Sequence, residues 1–385
     1  MTRYPVFLRI KIKNICFTDI QSTGLRRVFF YLFFIAAFSI TAQEISPMQK
    51  DEGTEEWSIH QLLALPSPSL SIAAVGDLML SAVAESTVVA NGADYPYEGT
   101  RDVLMSADIA VANLEAPLTA TGTRFVNKKY TFKVPPAFVT GIKNAGFDVV
   151  TLANNHIMDW GSEGLANTLA VLDSQQIAHC GAGVNRLKAC EPVVMESCGF
   201  KVAFIGFSLT FPQEFWATRN RCGTCLATDS LLQQVITAAE ADADVVVVNF
   251  HWGAEKWTSP KEYQIHFAHL AIDLGADLVL GHHPHVLQGL EVYKNRLIAY
   301  SLGNYAFGSR SQTARDSILL TVHVNPSGLV QAQVNPISVY NSLVRYQPRL
   351  MQGPEKERVL SELNHISLML NQGQNIISPD GTILP

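Results

Sequence analysis

The sequence as a whole lacks any surplus of positive charge. There are 28 Lys and Arg against 34 Asp and Glu, a formal net charge of −6. A nucleic-acid surface wants a basic stripe, so the balance argues against that class of partner. Charged residues are scarce as a whole, at 16% against 48% hydrophobic. That composition argues against long disordered stretches and leaves ample material for a core. Long apolar runs are also few. The run VFFYLFFIAAFSITA at 28–42 has 15 residues, short of the ~20 needed to span a bilayer. It follows Arg3, Arg9, Lys11, Lys13, Arg26 and Arg27 and closes on small residues, Ser39 to Ala42. This is the pattern of a cleaved export signal, with an uncleaved membrane anchor as the alternative. Either reading sends the bulk of the chain out of the cytoplasm, to the periplasm or cell envelope.

Cysteine is sparse as well, with 6 in the chain. Cys16 lies in the leader, which leaves Cys180, Cys190, Cys198, Cys222 and Cys225. Cys222-Gly-Thr-Cys225 is a CxxC without a second CxxC or a nearby histidine pair, so no zinc site is completed. Its flanks, TRNR and LATDS, read as loop, which argues against a thioredoxin motif. The expectation is one or two local disulfides in an exported protein, with at least one thiol left over. No internal repeat is visible.

Positions 43–70 are polar and acidic, ending in Pro and Ser, and read as a linker. From Ser71 short apolar runs begin, at 71–75, 108–112, 147–152, 201–207, 243–249, 277–280, 296–301 and 317–324. Several are continuous, as expected for strands covered on both faces. Helical patterns lie between them: 137–145 after Pro135-Pro136, 162–175 after Asp159-Trp160, 230–241 capped by Asp229, and 261–274 after Ser259-Pro260. Gly146 and Gly275 stand where helices should stop. The alternation predicts one α/β domain over 71–325. An extension, 326–385, holds one amphipathic helix candidate from Glu355 to Leu370.

In such folds function collects at the carboxyl ends of strands, and the unusual residues fall there. The strand ends supply Asp77; Asn113 and Glu115; Asn154, Asn155 and His156; His251; and His282, His283 and His285. Singly, Gly76-Asp77 reads as a turn, Asn154-Asn155 as turn residues, and His251 as a core histidine. Together, exits along one sheet edge should converge in space. Mixed imidazole and oxygen donors suit Mn, Fe or Zn better than calcium. In GHHPHVLQG, Pro284 fixes the local backbone so that His283 and His285 can aim at neighbouring points. His282 falls outside the ligand set, as a supporting or structural residue.

The ordered set AAVGDLMLS (73–81), ANLEAPLT (112–119), TLANNHIMDWG (151–161), NFHWGAE (249–255), GHHPHVLQG (281–289) and SLGNYAFG (301–308) resembles the metal-dependent phosphoesterase superfamily with the calcineurin-like fold. More closely, it is similar to the CapA-type capsule-synthesis family, also called poly-γ-glutamate biosynthesis proteins. The resemblance implies a layered αββα sandwich with a metal site at the strand C-terminal ends. It also implies one or two divalent ions (Mn, Fe or Zn) on Asp77, Glu115, Asn155, His251, His283 and His285, with His156 as the catalytic histidine. Asn113, Glu255 and Asn304 are candidate pocket liners. Familiar phosphoesterases carry Asp-x-His first, where Asp77 is here followed by Leu78-Met79. Their second motif is Gly-Asp-x-x-Asp, where this chain has Asn113-Leu114-Glu115.

The function implied is an exported metal-binding protein of capsule or poly-γ-glutamate biosynthesis, with metal-dependent hydrolase-type chemistry. Its partner would be an anionic polymer or a membrane synthase. The alternatives are a non-catalytic, polymer-binding accessory of a capsule synthesis or export complex, and a periplasmic phosphoesterase.

Overall fold

The computed structural model describes residues 69–385. The export-signal or anchor reading falls on 28–42, outside the described residues. From there the chain runs β1 (Leu70–Met79), α1 (Glu85–Asn91), α2 (Arg101–Ser106), β2 (Ile109–Leu114), α3 (Val139–Asn144), β3 (Val149–Thr151), α4 (Gly161–Ser174) and β4 (Ala178–Cys180). Next come β5 (Ala182–Gly183), α5 (Arg186–Ala189), β6 (Val193–Ser197), β7 (Phe200–Ser208), β8 (Gly223–Thr224), α6 (Asp229–Glu240), β9 (Val245–His251), α7 (Glu262–Asp273) and β10 (Leu278–His282). The last part holds β11 (Leu290–Tyr293), β12 (Arg296–Ala299), β13 (Asn304–Phe307), β14 (Asp316–Asn325), β15 (Gly328–Ser338), α8 (Asn341–Val344), β16 (Arg349–Leu350), α9 (Gly353–Ser367) and β17 (Thr382–Ile383).

Two sheets result. The first is ordered β16-β15-β14-β1-β2-β3-β4, with β13 also on β1 and β17 on β15. The second is ordered β11-β12-β10-β9-β7-β6. Strands β1 to β4 run parallel, as do β7, β9, β10 and β12. Because side chains alternate across a strand, Ile72, Ala74, Val111 and Val149 of the first sheet meet Phe204, Val247, Leu278 and Leu280 of the second. On the other face of the first sheet, Ala73 and Val75 pack with Leu104, Ile142, Leu165 and Leu172 from the helices. On the other face of the second, Ile205 and Val248 pack with Leu232, Ile236, Ala268 and Ala271. This is the expected αββα layering. It explains the continuous apolar runs, since strands buried on both faces have no polar side to show.

Several local expectations are corrected. The polar strand ends come from two facing sheets and not from one sheet edge: β1, β2 and β3 belong to the first, β9 and β10 to the second. The run at 296–301 stops at Ala299; Asn304 belongs to β13, which crosses to the first sheet and pairs in register with Asp77. Thr228, not Asp229, caps α6, its side chain accepting from Leu231 N at 3.3 Å. Gly146 and Gly275 do end helical stretches, with φ of +93° and +107°. The stretch after residue 325 holds α9 and also β15, which buries Leu329, Ala332 and Val334. Arg358 on α9 clamps both carboxylate oxygens of Asp316, at 2.9 Å each. Cys190 and Cys225 form a disulfide, while Cys180, Cys198 and Cys222 are free thiols. The CxxC is therefore not closed on itself.

Candidate metal centre

Close backbone contacts bring the strand ends together. A Cβ on Gly76 would lie 1.8 Å from Gly303 O, and one on Gly281 would lie 2.0 Å from Tyr300 O. Glycine at both positions lets β1 and β10 approach neighbouring chain, and Asp77 N donates to Gly303 O at 3.0 Å. His283 and His285 hold φ of +96° and +59° on either side of Pro284. Both are anchored on one carboxylate: Asp77 Oδ2 accepts from His283 N at 3.3 Å and lies 3.0 Å from His285 Nδ1.

Around this point the side chains form two overlapping triads, Glu115–His251–His283 and Asp77–Glu115–His285. In each, one donor atom per residue lies within 4.8 Å of the others. Metal bonds of ~2.0–2.2 Å put donors on one ion roughly 3–4 Å apart, within that bound. Glu115 belongs to both groups. Asn155 joins them through Oδ1, 2.9 Å from His251 Nε2. Asn113 ties the carboxylates together, donating Nδ2 to Asp77 Oδ1 at 2.8 Å and to Glu115 Oε2 at 3.2 Å. Asn304 Oδ1 lies 3.0 Å from His285 Nδ1. Glu255, expected as a pocket liner, is exposed on the following loop and contributes its charge from the rim.

The donor set passes a direct test of fit for a cation. Glu115 Oε1 and His283 Nδ1 are buried and have no hydrogen-bond partner among the described residues, and unpaired buried polar atoms are costly. The electrostatics agree. Burial and the charge of Asp77 push Glu115 well above the usual carboxylate range. Burial also works to raise Asp77, but His282 and His285 hold it well below that range. Burial and the neighbouring imidazoles push His283 down to about 3 and lower His251 strongly. Burial opposes protonation of His285 too, yet the carboxylates of Glu115 and Asp77 hold it up at about 9. Two buried carboxylates competing for one set of imidazoles is an arrangement a divalent ion would relieve. His282 is buried with Nδ1 3.5 Å from Asp77 Oδ1, behind that carboxylate and in neither triad.

Beside the triads, His156 Nδ1 lies 2.7 Å from Asp159 Oδ2 and 2.8 Å from Lys128 Nζ. Lys128 also donates to Asp159 Oδ1 at 2.8 Å and to Asn155 O. Asp159 is fully buried and accepts Phe132 N at 2.7 Å, while its backbone oxygen accepts Phe125 N at 2.9 Å. One aspartate thus pins the 119–134 loop over the site. Burial lowers both Lys128 and His156, partly offset by Asp159. Asn154 is a turn residue: its Oδ1 accepts His156 N at 3.1 Å and Ile157 N at 2.9 Å. The sequence reading missed Lys128. It sits in a loop next to an equally basic Lys129, and only the tertiary fold tells the two apart.

An αββα fold whose facing strand ends gather buried carboxylates and histidines forms a centre compatible with a metal ion. The chain belongs to the bacterial capsule synthesis protein family PGA_cap, whose family model matches residues 71–309. It is similar to the PGA biosynthesis protein CapA of Bacillus subtilis, 32% identical over 71% of this chain and 72% of the relative. It is also similar to the capsule biosynthesis protein CapA of Bacillus anthracis, 33% identical over 70% of this chain and 67% of the relative. Among solved structures it resembles the calcineurin-like phosphoesterase YfkN from Bacillus subtilis, with a TM-score of 0.42 and 15% identity over 78% of this chain and 99% of that one. Among the described residues no helix is long and apolar enough to cross a membrane.

Proposed function

We propose that this protein is an exported, envelope-associated member of the capsule family whose metal centre acts on an anionic polymer such as poly-γ-glutamate, by hydrolase-type chemistry. The observation that carries the reading is the pair of triads sharing Glu115, with buried donor atoms left unpaired. Asp77, Glu115, Asn155, His251, His283 and His285 are the ligands proposed for Mn, Fe or Zn. A bound divalent ion supplies Lewis-acid polarisation of the bond to be cleaved. Asn113 and Asn304 hold Asp77 and His285 in orientation.

His156 is the proposed general acid, and its neighbours determine when it can act. Asp159 can only accept from Nδ1–H, which leaves Nε2 bare in the neutral ring. Lys128 donates only when Nδ1 is bare, so it favours the neutral ring. The acid form is the imidazolium, protonated on both nitrogens, with Nδ1–H held by Asp159 and Nε2–H free for a leaving group. Asp159 thereby favours the acid form, and the charge of Lys128 opposes it. The accessory reading draws on a different observation: Met79, where the familiar Asp-x-His motif puts a ligand, is buried in the apolar core. A centre with one ligand fewer suits one ion better than two.

The test is to purify the protein, measure bound metal, and follow turnover of γ-glutamyl polymer and phosphodiester substrates with wild type and His156→Ala. Bound metal with turnover that depends on His156 is the expected result. Absence of both metal and turnover would falsify the catalytic proposal. Polymer binding without turnover, unchanged in His156→Ala, would move the protein to the accessory role, with a membrane synthase as its partner.

A further inference from the structure

Away from the histidine cluster, a cavity of about 1400 Å³ opens between α5 and the segment from Phe211 to Val235. Arg186, Arg219 and Arg221 line it, all of them exposed. Among the described residues none of the three is within ion-pairing distance of a carboxylate. Arg221 alone is engaged, donating Nη2 to Trp216 O at 3.0 Å. Glu214 is the single acidic side chain in the lining. In a chain of net charge −6, a patch of unpaired guanidinium groups is a local reversal of the field.

The walls of this cleft are held in place. The Cys190–Cys225 disulfide joins one to the other, and Arg186 N donates to Thr218 O at 2.8 Å. Phe211, 66% exposed, lies 5.6 Å from the Trp216 ring and gives the cleft an apolar lip. The same segment starts at the metal centre. Leu209 N donates to His251 O at 2.9 Å, and the Phe215 ring lies 4.9 Å from Phe125 and 5.4 Å from Lys128 Nζ. The segment that carries Arg219 and Arg221 therefore also packs against residues beside the centre.

We propose that the cleft is a second binding site for an extended polycarboxylate chain. Arg186, Arg219 and Arg221 take its carboxylates, and Phe211 and Trp216 cover its methylene carbons. The guanidinium fork matches a carboxylate in geometry and stays charged at every relevant pH. The proposal rests on the anionic-polymer reading given above and adds a place where the polymer is held. Occupying cleft and centre with one chain makes binding depend on polymer length.

The experiment measures binding of poly-γ-glutamate of defined lengths to the full chain and to R186A/R219A/R221A across a salt series, with metal content determined for both. Inorganic polyphosphate serves as the second arm. The expected result is affinity for long chains lowered roughly tenfold in the triple variant, the scale of three exposed ion pairs. Its salt dependence should also be shallower, with metal content equal to wild type. R219A alone, expected to show a smaller loss in the same direction, keeps the test readable should the triple variant fold poorly. Equal affinity in wild type and both variants overturns the cleft assignment, and if metal and turnover are intact it does so without touching the centre. Polyphosphate held as tightly, with the same arginine dependence, overturns the polycarboxylate assignment. A wild type that lacks metal yet binds the polymer through these arginines supports the cleft while the metal-centre reading fails.

Discussion

At the scale of single residues, Asp159 shows how much one buried carboxylate can organise. It receives Lys128, His156 and Phe132 N, and is itself fully buried. Asp159→Ala strands a buried ammonium, the costly way to break such a pair, so it should lower stability by about 3–5 kcal/mol in urea unfolding. Bound metal should persist, because Asp159 belongs to neither triad. A loss below 1 kcal/mol would mean that Lys128 swings freely to solvent. Gly281 makes the complementary case. A Cβ there meets Tyr300 O at 2.0 Å and Trp252 Nε1 at 2.8 Å, and the first of these is backbone, which cannot swing away. Gly281→Ala should therefore cost about 1–3 kcal/mol and also weaken metal binding, since it displaces the end of β10, which His283 and His285 directly follow. The sequence displayed Asp77, Glu115, His251, His283 and His285 because each ends or follows a recognisable strand. It could not display Lys128, whose role arises only when a loop folds over the site. Nor could it demote Glu255, which reads the same whether it faces into the site or out.

Elements were legible wherever the apolar pattern was strong and uninterrupted. β7, β9, β10 and β14 fall where continuous apolar runs place them, and α4 and α7 follow their start signals to within about a residue. Short edge strands were not legible: β11 and β13 are four residues each, too brief for a period to emerge. β15 alternates clearly but follows a turn at Pro326-Ser327 that reads as the end of a domain. The crossing of the chain from β12 to β13 was invisible for a further reason. Nothing in Ser301-Leu302-Gly303 says which sheet the next strand will join. The amino ends of β9, β10 and β12, opposite the site, meet at Asp277, which accepts Val246 N at 2.9 Å and pairs with Arg296 Nε at 2.9 Å. Burial outweighs these partners and raises its pKa to about 6 from 3.8. Between those values the unfolded chain has released the proton and the folded chain keeps it, so this group's contribution falls as pH rises through the window. The displacement is worth ~3 kcal/mol. The stability difference between wild type and Asp277→Asn, followed from pH 4 to 7, should change by about that amount in favour of the variant. A flat difference would mean that Arg296 keeps the aspartate ionised throughout.

At the scale of the molecule, the two sheets meet with their polar strand ends side by side, so the site is a property of their packing. Asp77, Glu115 and Asn155 come with the first sheet; His251, His283 and His285 come with the second. A cation bound across that seam stabilises the folded state alone, because the unfolded chain does not bring the two sets together. With ligand at about a hundred times its dissociation constant the gain is ~2.7 kcal/mol. For a folded unit of this size that corresponds to a rise of ~4 °C in Tm. Adding Mn, Fe or Zn to chelator-treated protein should produce this shift, and EDTA should reverse it. His283→Ala should melt cooperatively without responding to metal, while Arg219→Ala, away from the centre, should respond as wild type does. The response should also weaken as pH falls, because protons compete with the ion for Glu115 and the imidazoles. A wild-type melt indifferent to all three ions and to EDTA would leave the seam held by a buried hydrogen-bond network alone, with His285 charged between Asp77 and Glu115 in place of a metal.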